Sequence, residues 1–578
     1  MFKKKEKIFI GILLLAGFLC YINALPNKFL WDDEEQIVNN AFIKKGSNFP
    51  LAFSSSTFYS GQEKPIGGFY RPWVTLSYMF LYRLFGLRPS FFHLFQIFFH
   101  LLNIVLVFFV LRKILSVQLV KNPDKISFFA ALLFAVHPAN VESAGYIASV
   151  GEVIYVFLGL MAVLFFLRGI NYQTKNVKNS ALFLFFIFVF LGLLAKESGL
   201  VIIPLLFLYL LFFVRPNLKL YLKYIFGSFF ISLIYFLLKH GAAKIGTNLF
   251  FLSPISKASL FQRFLTLPYE IFSYILIIFF PKNLYIYRNF VVNSISDIRF
   301  WGSLIFLLVI AAIFVWLAKR KKSLLLLFFL LWFLVSIFPT LNIIMPLEMT
   351  IAERWLYFPI IGALALVSYA AFQLLNILKK KWQKSLILGF LILALFSLSL
   401  RTLVRLNNWK DGLTLYERDI KFSKNSYNLE NNYGVELFRA GRFEEAKSHF
   451  LRSIEIENQY YISHNNLGAC YEKDKNFEEA LKEYQKSMEL NDYYLAYENT
   501  AGLLLQLNKD KEAKEFLEKA IQKFPYHSKL KLLLAFFYYK NKEIPKAIGI
   551  VEEVLKEEPD NNLAKQFLLD IMAGGKIQ

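Results

Sequence analysis

Cysteine is nearly absent from this chain of 578 residues: Cys20 lies inside an apolar run and Cys470 far downstream, and there is no third. Neither has a Cys or His neighbour at ligand spacing, which excludes a disulfide scaffold and a zinc site. A Walker or Rossmann phosphate loop, a GxSxG elbow and an HExxH pair are also missing, so the familiar nucleotide-binding, serine-hydrolase and zincin readings fall away. Acidic residues are scarce, 42 against 65 basic ones, for a formal charge of +23. That surplus does not mark a nucleic-acid binder. The basic residues gather in short turns between apolar runs, the arrangement that orients spans in a bilayer.

Apolar residues are what the chain has in excess. They make up 56% of it, with 65 Phe, and the mean hydropathy is +0.45. Repeated runs near 20 residues can cross a hydrocarbon core about 30 Å thick, so the chain reads as a polytopic membrane protein. Eleven spans are predicted, at 8–24, 91–111, 127–146, 150–167, 180–195, 199–214, 222–239, 300–318, 323–339, 355–377 and 385–400. "MFKKKEK" before the first run and "INALP" after it have a weak signal-peptide look. The many spans behind them favour a retained first helix.

Basic turns at 3–7, 112–125, 168–178, 215–223, 319–322 and 379–384 all land on one side if the spans alternate. That side is expected to be cytoplasmic, with the N-terminus, in a multi-pass plasma (inner) membrane protein. The opposite, outer face then receives the loop 25–90, the segment 240–299 and everything after 401. Within 240–299, "YEIFSYILIIFF" at 269–280 is too short to span and ends at Pro281, so a re-entrant or interfacial helix is expected.

Composition changes near residue 405, dividing a membrane unit, 1–405, from a charged, Tyr-rich unit, 406–578. The second unit repeats. Gly434, Gly468 and Gly502 are 34 residues apart, as are Ala446 and Ala480, Ala513 and Ala547, and Pro525 and Pro559. This is the tetratricopeptide (TPR) period: small residues where two helices of a hairpin touch, Pro at the close of the unit. About four repeats are expected to stack into an α-solenoid with a Tyr-lined concave groove for a peptide or partner. A passive spacer or dimerisation arm is the plainer reading.

Ionisable residues beside spans are costly and merit inspection. "NKFLWDDEEQIVNN" puts Asp32 and Asp33 just past the first span. Arg71 lies in the same outer loop, His137 and Glu142 at the outer end of the third span, Lys196 and Glu197 at that of the fifth, Glu353 and Arg354 at the mouth of the tenth. Singly, each has a plain account: an exposed turn, a snorkelling Lys, a capping His, an interfacial pair. Together, on one membrane face, they suit a substrate with a lipid tail and an anionic head. Arg and Lys would hold a phosphate, and a carboxylate would take a proton from an attacking hydroxyl. An outward-facing site lacks ATP and sugar nucleotides, so an activated donor would be lipid-linked.

These blocks taken in order, "FLWDDEEQIVNN", "FYRPWVTLSY", "HLFQIFFHLLNIVLVF", "LLFAVHPANVESAGYIASVGEV", "LLAKESGL" and "ERWLYFPIIG", resemble the transmembrane-and-TPR O-mannosyltransferases among the GT-C membrane glycosyltransferases. The repeat array is short compared with animal members of that family, and the sequence has a bacterial look. The resemblance implies an all-α GT-C fold and transfer of mannose or another hexose from a polyprenyl phosphate to a hydroxyl outside the cytoplasm, with inversion. It implies Asp32 as general base, with Asp33 as its alternative or its orienting neighbour. Arg71, Lys196 and Arg354 become candidates for the lipid phosphate, and His137, Glu142, Glu197 and Glu353 for lining or bracing the cavity. The acceptor would be protein Ser/Thr, or a glycan, held by the repeats. No DxD-like triplet or His–carboxylate pair dictates a metal, which favours a metal-free reaction over one assisted by Mg or Mn. A non-catalytic TPR scaffold for envelope glycoconjugates is the runner-up. A transporter is third, since no duplicated half with broken helices is visible.

Overall fold

The computed structural model describes residues 4–58, 68–171, 175–214, 218–243, 252–318, 324–559 and 561–573. Among them the architecture is all-helical; the single β-bridge joins Arg288 to Ile351. Nine helices among the described residues are long and apolar enough to cross a membrane. A tenth candidate is bent by 55°, Pro123–Val136 followed by Pro138–Gly145, and a shorter apolar helix, Leu324–Thr340, makes an eleventh. The predicted spans therefore all meet helices, with changed ends. The last runs over Lys381–Asn408, and the tenth starts only at Pro359 because Glu353–Leu356 forms a separate 3-10 turn. The basic turn at 319–322 lies outside the described residues.

Proline sets several of these boundaries. Pro72, Pro89, Pro123 and Pro359 each open a helix, where a missing N–H costs nothing. Pro138 does the opposite to the third span. It forces His137 into an extended conformation, φ −79° and ψ 126°, so the helix stops and restarts. The segment expected at 269–280 is one end of a longer helix, Leu260–Phe279, which starts at a Ser259/Gln262 capping box and does not rank among the candidate spans. It is strongly two-faced, burying Leu265, Tyr274 and Ile278 and exposing Phe261, Phe264 and Phe279.

Two ion clusters mark the two ends of the membrane unit. Arg112 pairs with Glu6 and Asp124, each at 2.7 Å, which gathers the start of the first span, the end of the second and the start of the third. At the other end of the first helix, Glu34 accepts from Arg439 of the first repeat, at 2.5 and 2.7 Å. The repeat unit thus sits on the same face as the acidic stretch.

The second unit begins with Gly412–Asp419 and continues as four helix hairpins: 427–456, 461–490, 494–523 and 528–557, closed by Asn562–Met572. At two of the three regularly spaced glycines the cause is packing; a Cβ at Gly502 would meet nothing within 4 Å. A Cβ at Gly434 would lie 2.6 Å from the Phe450 ring, and one at Gly468 2.6 Å from Tyr484, so both hairpins need the bare backbone.

Candidate active site

Trp31 anchors the acidic stretch. Its φ is +56°, a left-handed backbone that a bulky residue adopts only under constraint. The constraint is visible: the indole stacks on Tyr146 at 5.3 Å and 11° and packs on Tyr287 at 5.0 Å. Tyr287 is itself left-handed, φ +54°. Two strained aromatic residues therefore brace one another beside Asp32, and the chain then runs into a π-turn over Glu34–Val38.

The four successive carboxylates part company. Asp33 is buried and its two oxygens accept from the backbone N–H groups of Leu30, at 3.1 Å, and Ala148, at 2.7 Å. Glu34 goes to Arg439. Glu35 is half-buried and lies among tyrosines of the repeats. Asp32 is half-buried, and its backbone N–H donates to the Tyr146 hydroxyl at 3.0 Å. Burial lifts the Asp32 carboxyl above its ordinary range, against the pull of the Arg354 guanidinium and the Tyr146 hydroxyl.

Two cations act on Asp32, Arg354 and Arg71, and a third, Lys196, lies beside Arg71; each is already held by a glutamate. Arg354 pairs with Glu142, whose other oxygen accepts from the Arg354 backbone N–H at 3.0 Å. The Arg354 guanidinium also lies 5.5 Å from the centre of the Trp31 ring. Arg71 makes a two-pronged bond to Glu197 at 2.6 and 3.1 Å. Lys196 pairs with Glu152, both buried. Gly151 eases the approach nearby: a Cβ there would sit 3.1 Å from the Ala195 carbonyl oxygen, so a larger residue would push the two segments apart by a few tenths of an ångström. Charges on Arg354 and Arg71 both act on Asp32 and Glu152, which ties the three pairs into one electrostatic cluster.

His137 and Glu353 point elsewhere. The His137 ring is fully buried, with Nδ1 accepting from Ala139 N–H at 3.1 Å and Nε2 donating to the Ile278 carbonyl at 2.9 Å. It staples the broken third span to the amphipathic helix 260–279. Glu353 faces Arg288 at 3.3 Å and Arg405 at 3.6 Å, and Arg405 in turn pairs with Asp419 at 3.2 Å. That network welds the membrane unit to the first helix of the second. Both residues brace the site rather than line it.

Sequence reading missed Glu152, Tyr146, Tyr287 and Glu34 as participants. Tyr146 and Glu152 sit inside the block that begins at Leu132, but only the fold reveals what they touch. Among the described residues no group of three His, Cys, Asp or Glu side chains converges as a metal site would require.

Fold and site together define a polytopic, all-helical membrane protein with a charged site at one face and TPR hairpins docked over it. Residues 461–494 and 504–571 match tetratricopeptide-repeat family models. The chain is similar to a protein O-mannosyl-transferase of Caenorhabditis elegans, 24% identical across 76% of this chain and 61% of that one. It is similar also to protein O-mannosyl-transferase TMTC3 of Mus musculus, 24% identical across 75% and 49%. The resemblance read from the sequence blocks is thereby borne out, while the chain spans about half to three-fifths of the length of these curated relatives. A crystal structure of ArnT from Cupriavidus metallidurans covers 87% of this chain and 80% of its own at 14% identity, with a TM-score of 0.40, too loose a likeness to build on.

Proposed function

We propose that this protein is an integral-membrane GT-C glycosyltransferase that moves mannose, or another hexose, from a polyprenyl phosphate to a hydroxyl of a protein outside the cytoplasm. One observation carries the reading: of the four carboxylates in the stretch, Asp32 alone is half-buried beside the Arg354 guanidinium without a committed cation or backbone partner. A carboxylate pushed upward by burial, next to a fixed cation, suits a general base.

In this reaction the acceptor oxygen attacks the anomeric carbon while Asp32 takes its proton. The bond from that carbon to the phosphate oxygen breaks, and the polyprenyl phosphate leaves with one more negative charge. Arg354, Arg71 and Lys196 offset that charge, and their glutamate partners hold them in place before the donor arrives. The reaction needs no metal in this scheme. Asp33, bonded to the backbone on both oxygens, sets the direction of its neighbour. The positive-inside turns support an outer location for the site and the repeats, in a plasma (inner) membrane with a cytoplasmic N-terminus.

The test is Asp32→Asn. Transfer from polyprenyl-phosphate mannose to a Ser/Thr peptide should fall by about 10²–10⁴-fold, with membrane insertion and unfolding midpoint kept. Wild-type activity in this variant would remove the base and the reading with it.

A further inference from the structure

Where the last span meets the second unit, cations outnumber anions. The guanidiniums of Arg288, Arg401, Arg405 and Arg418 gather there around two carboxylates, Glu353 and Asp419. Asp419 is already full. One of its oxygens takes Arg405 and Arg418, the other Arg405 and the Ile286 N–H at 2.9 Å, which uses all four acceptor positions. Glu353 is divided between Arg288 and Arg405. Arg401 pairs with no carboxylate among the described residues.

Neutral groups supply the other partners. The turn 281–284 gives one carbonyl after another to arginines: Arg401 donates to Pro281 at 3.0 Å and Lys282 at 2.9 Å, Arg288 to Asn283, and Arg418 to Leu284 at 2.7 Å. Carbonyls satisfy N–H groups but cancel no charge, so guanidiniums crowded round one turn still repel. Lys282, exposed on the same turn, adds to the surplus. Burial, and then the charge on Arg405, hold the Arg418 guanidinium below its usual range.

The surroundings point to what balances that charge. Arg401 and Arg418 are half-buried, so both still reach the surface. Along the same helix as Arg401, Phe396 and Leu400 are each more than half exposed, as is Phe280 just before the turn. On the other side, Arg288 lies 4.0 Å from the centre of the Tyr285 ring, Tyr285 stacks on Phe422 at 5.7 Å, and Arg418 lies 5.3 Å from Phe422. Cations and aromatic rings at the end of an apolar helix face mark the level where hydrocarbon gives way to water. A soluble anion would answer the cations and leave Phe396 and Leu400 bare. A phosphate diester with acyl chains answers both, since its two free oxygens match the fork of a guanidinium. A zwitterionic headgroup would bring a cation of its own into the cluster, which favours a lipid of net negative charge.

We propose that Arg401, Arg418 and Lys282 form a binding site for the phosphate of an anionic phospholipid in the leaflet on the repeat side, with its chains along Phe396 and Leu400. The bound lipid ties three segments together. Arg401 belongs to the last span, Arg418 to the first helix of the second unit, and the turn 281–284 leads into Tyr287, whose carbonyl accepts from Ser423 Oγ at 2.7 Å. The bilayer thereby helps to seat the repeats, whatever chemistry Asp32 performs.

The test places the full-length protein in phosphatidylcholine nanodiscs doped with photoactivatable phosphatidylglycerol. In the wild type, crosslinks should fall on 280–288, 396–405 and 418–422, and this arm needs no variant to fold. Unlabelled phosphatidylglycerol should erase them at about a tenth of the dose that phosphatidylcholine needs. Arg401→Gln and Arg418→Gln should each weaken labelling about tenfold, the loss of one charge-assisted bond. Lys381→Gln, which removes the same charge at the far end of the same helix, should leave it unchanged. Equal competition by phosphatidylcholine, crosslinks elsewhere in the wild type, or full labelling of both arginine variants would overturn the site. Displacement of the probe by inorganic phosphate would make it a soluble-anion site, and stronger displacement by polyprenyl phosphate a donor site; either result would overturn the proposal too.

Discussion

The membrane unit and the repeat unit handle charge in opposite ways. In the first, pairs are sunk: the Glu partners of Lys196 and Arg354 are 2% exposed. In the second, many pairs are one-turn contacts on open helix faces, such as Arg442–Glu445 and Arg452–Glu455, with both partners more than 40% exposed. Surface pairs of that kind contribute about 0–1 kcal/mol, whereas a buried pair stabilises little and yet cannot lose one member cheaply. Sunken pairs fix geometry; open pairs keep a solenoid soluble. The contact between the two units mixes both styles, with the Arg405 network inside and Glu34–Arg439 at the rim.

Removing Arg405 should break this contrast hardest. Arg405→Met strips a cation from Asp419 and Glu353, and the unfolding free energy in detergent should drop by about 3–5 kcal/mol. A loss near zero would make the network incidental. Asp33→Ala comes next. It unbinds the N–H groups of Leu30 and Ala148, at about 1.5–3 kcal/mol for each charge-assisted bond, and hydrogen exchange at residues 30 and 148 should rise while the repeats stay protected.

Glu35 sharpens the comparison through pH. Burial, with the charges on Asp32 and Glu34, raises its carboxyl from 4.5 to about 7. A raised acid favours the folded state when protonated, so its contribution is complete below about 4.5 and is lost as pH climbs through about 7. Between about pH 5 and pH 8 the wild type should lose on the order of 2 kcal/mol, and Glu35→Gln should flatten that slope in thermal unfolding. An identical slope in both proteins would assign the titration elsewhere. The smallest effect belongs to Arg439→Ala. As a rim pair its loss should cost at most about 1 kcal/mol, and the cost should shrink further when salt is raised.

Much of this was legible beforehand because it rests on periods. A 34-residue interval and runs near 20 residues survive any detail of packing, and they located the hairpins and the helices that could span. The broken third span was half legible. Pro138 is in the sequence, but the helix on its far side, which carries Glu142 to Arg354, is a matter of direction. The start of the amphipathic helix was not legible, since 260–268 is less apolar than 269–280. Among the candidate residues, pairing was the hidden variable. Arg71 and Glu197 are 126 positions apart, Glu142 and Arg354 212 apart, and no local pattern announces either contact.

By itself, then, the sequence determined the class: apolar runs too long for a soluble core, basic turns that orient them, repeats that must stack, and a set of charges on one face. Only the tertiary structure decided which acid was left beside the Arg354 guanidinium. Four neighbouring carboxylates have the same chemistry in the chain, and they acquire different partners solely because Trp31, Tyr146 and Tyr287 lock the backbone that aims them.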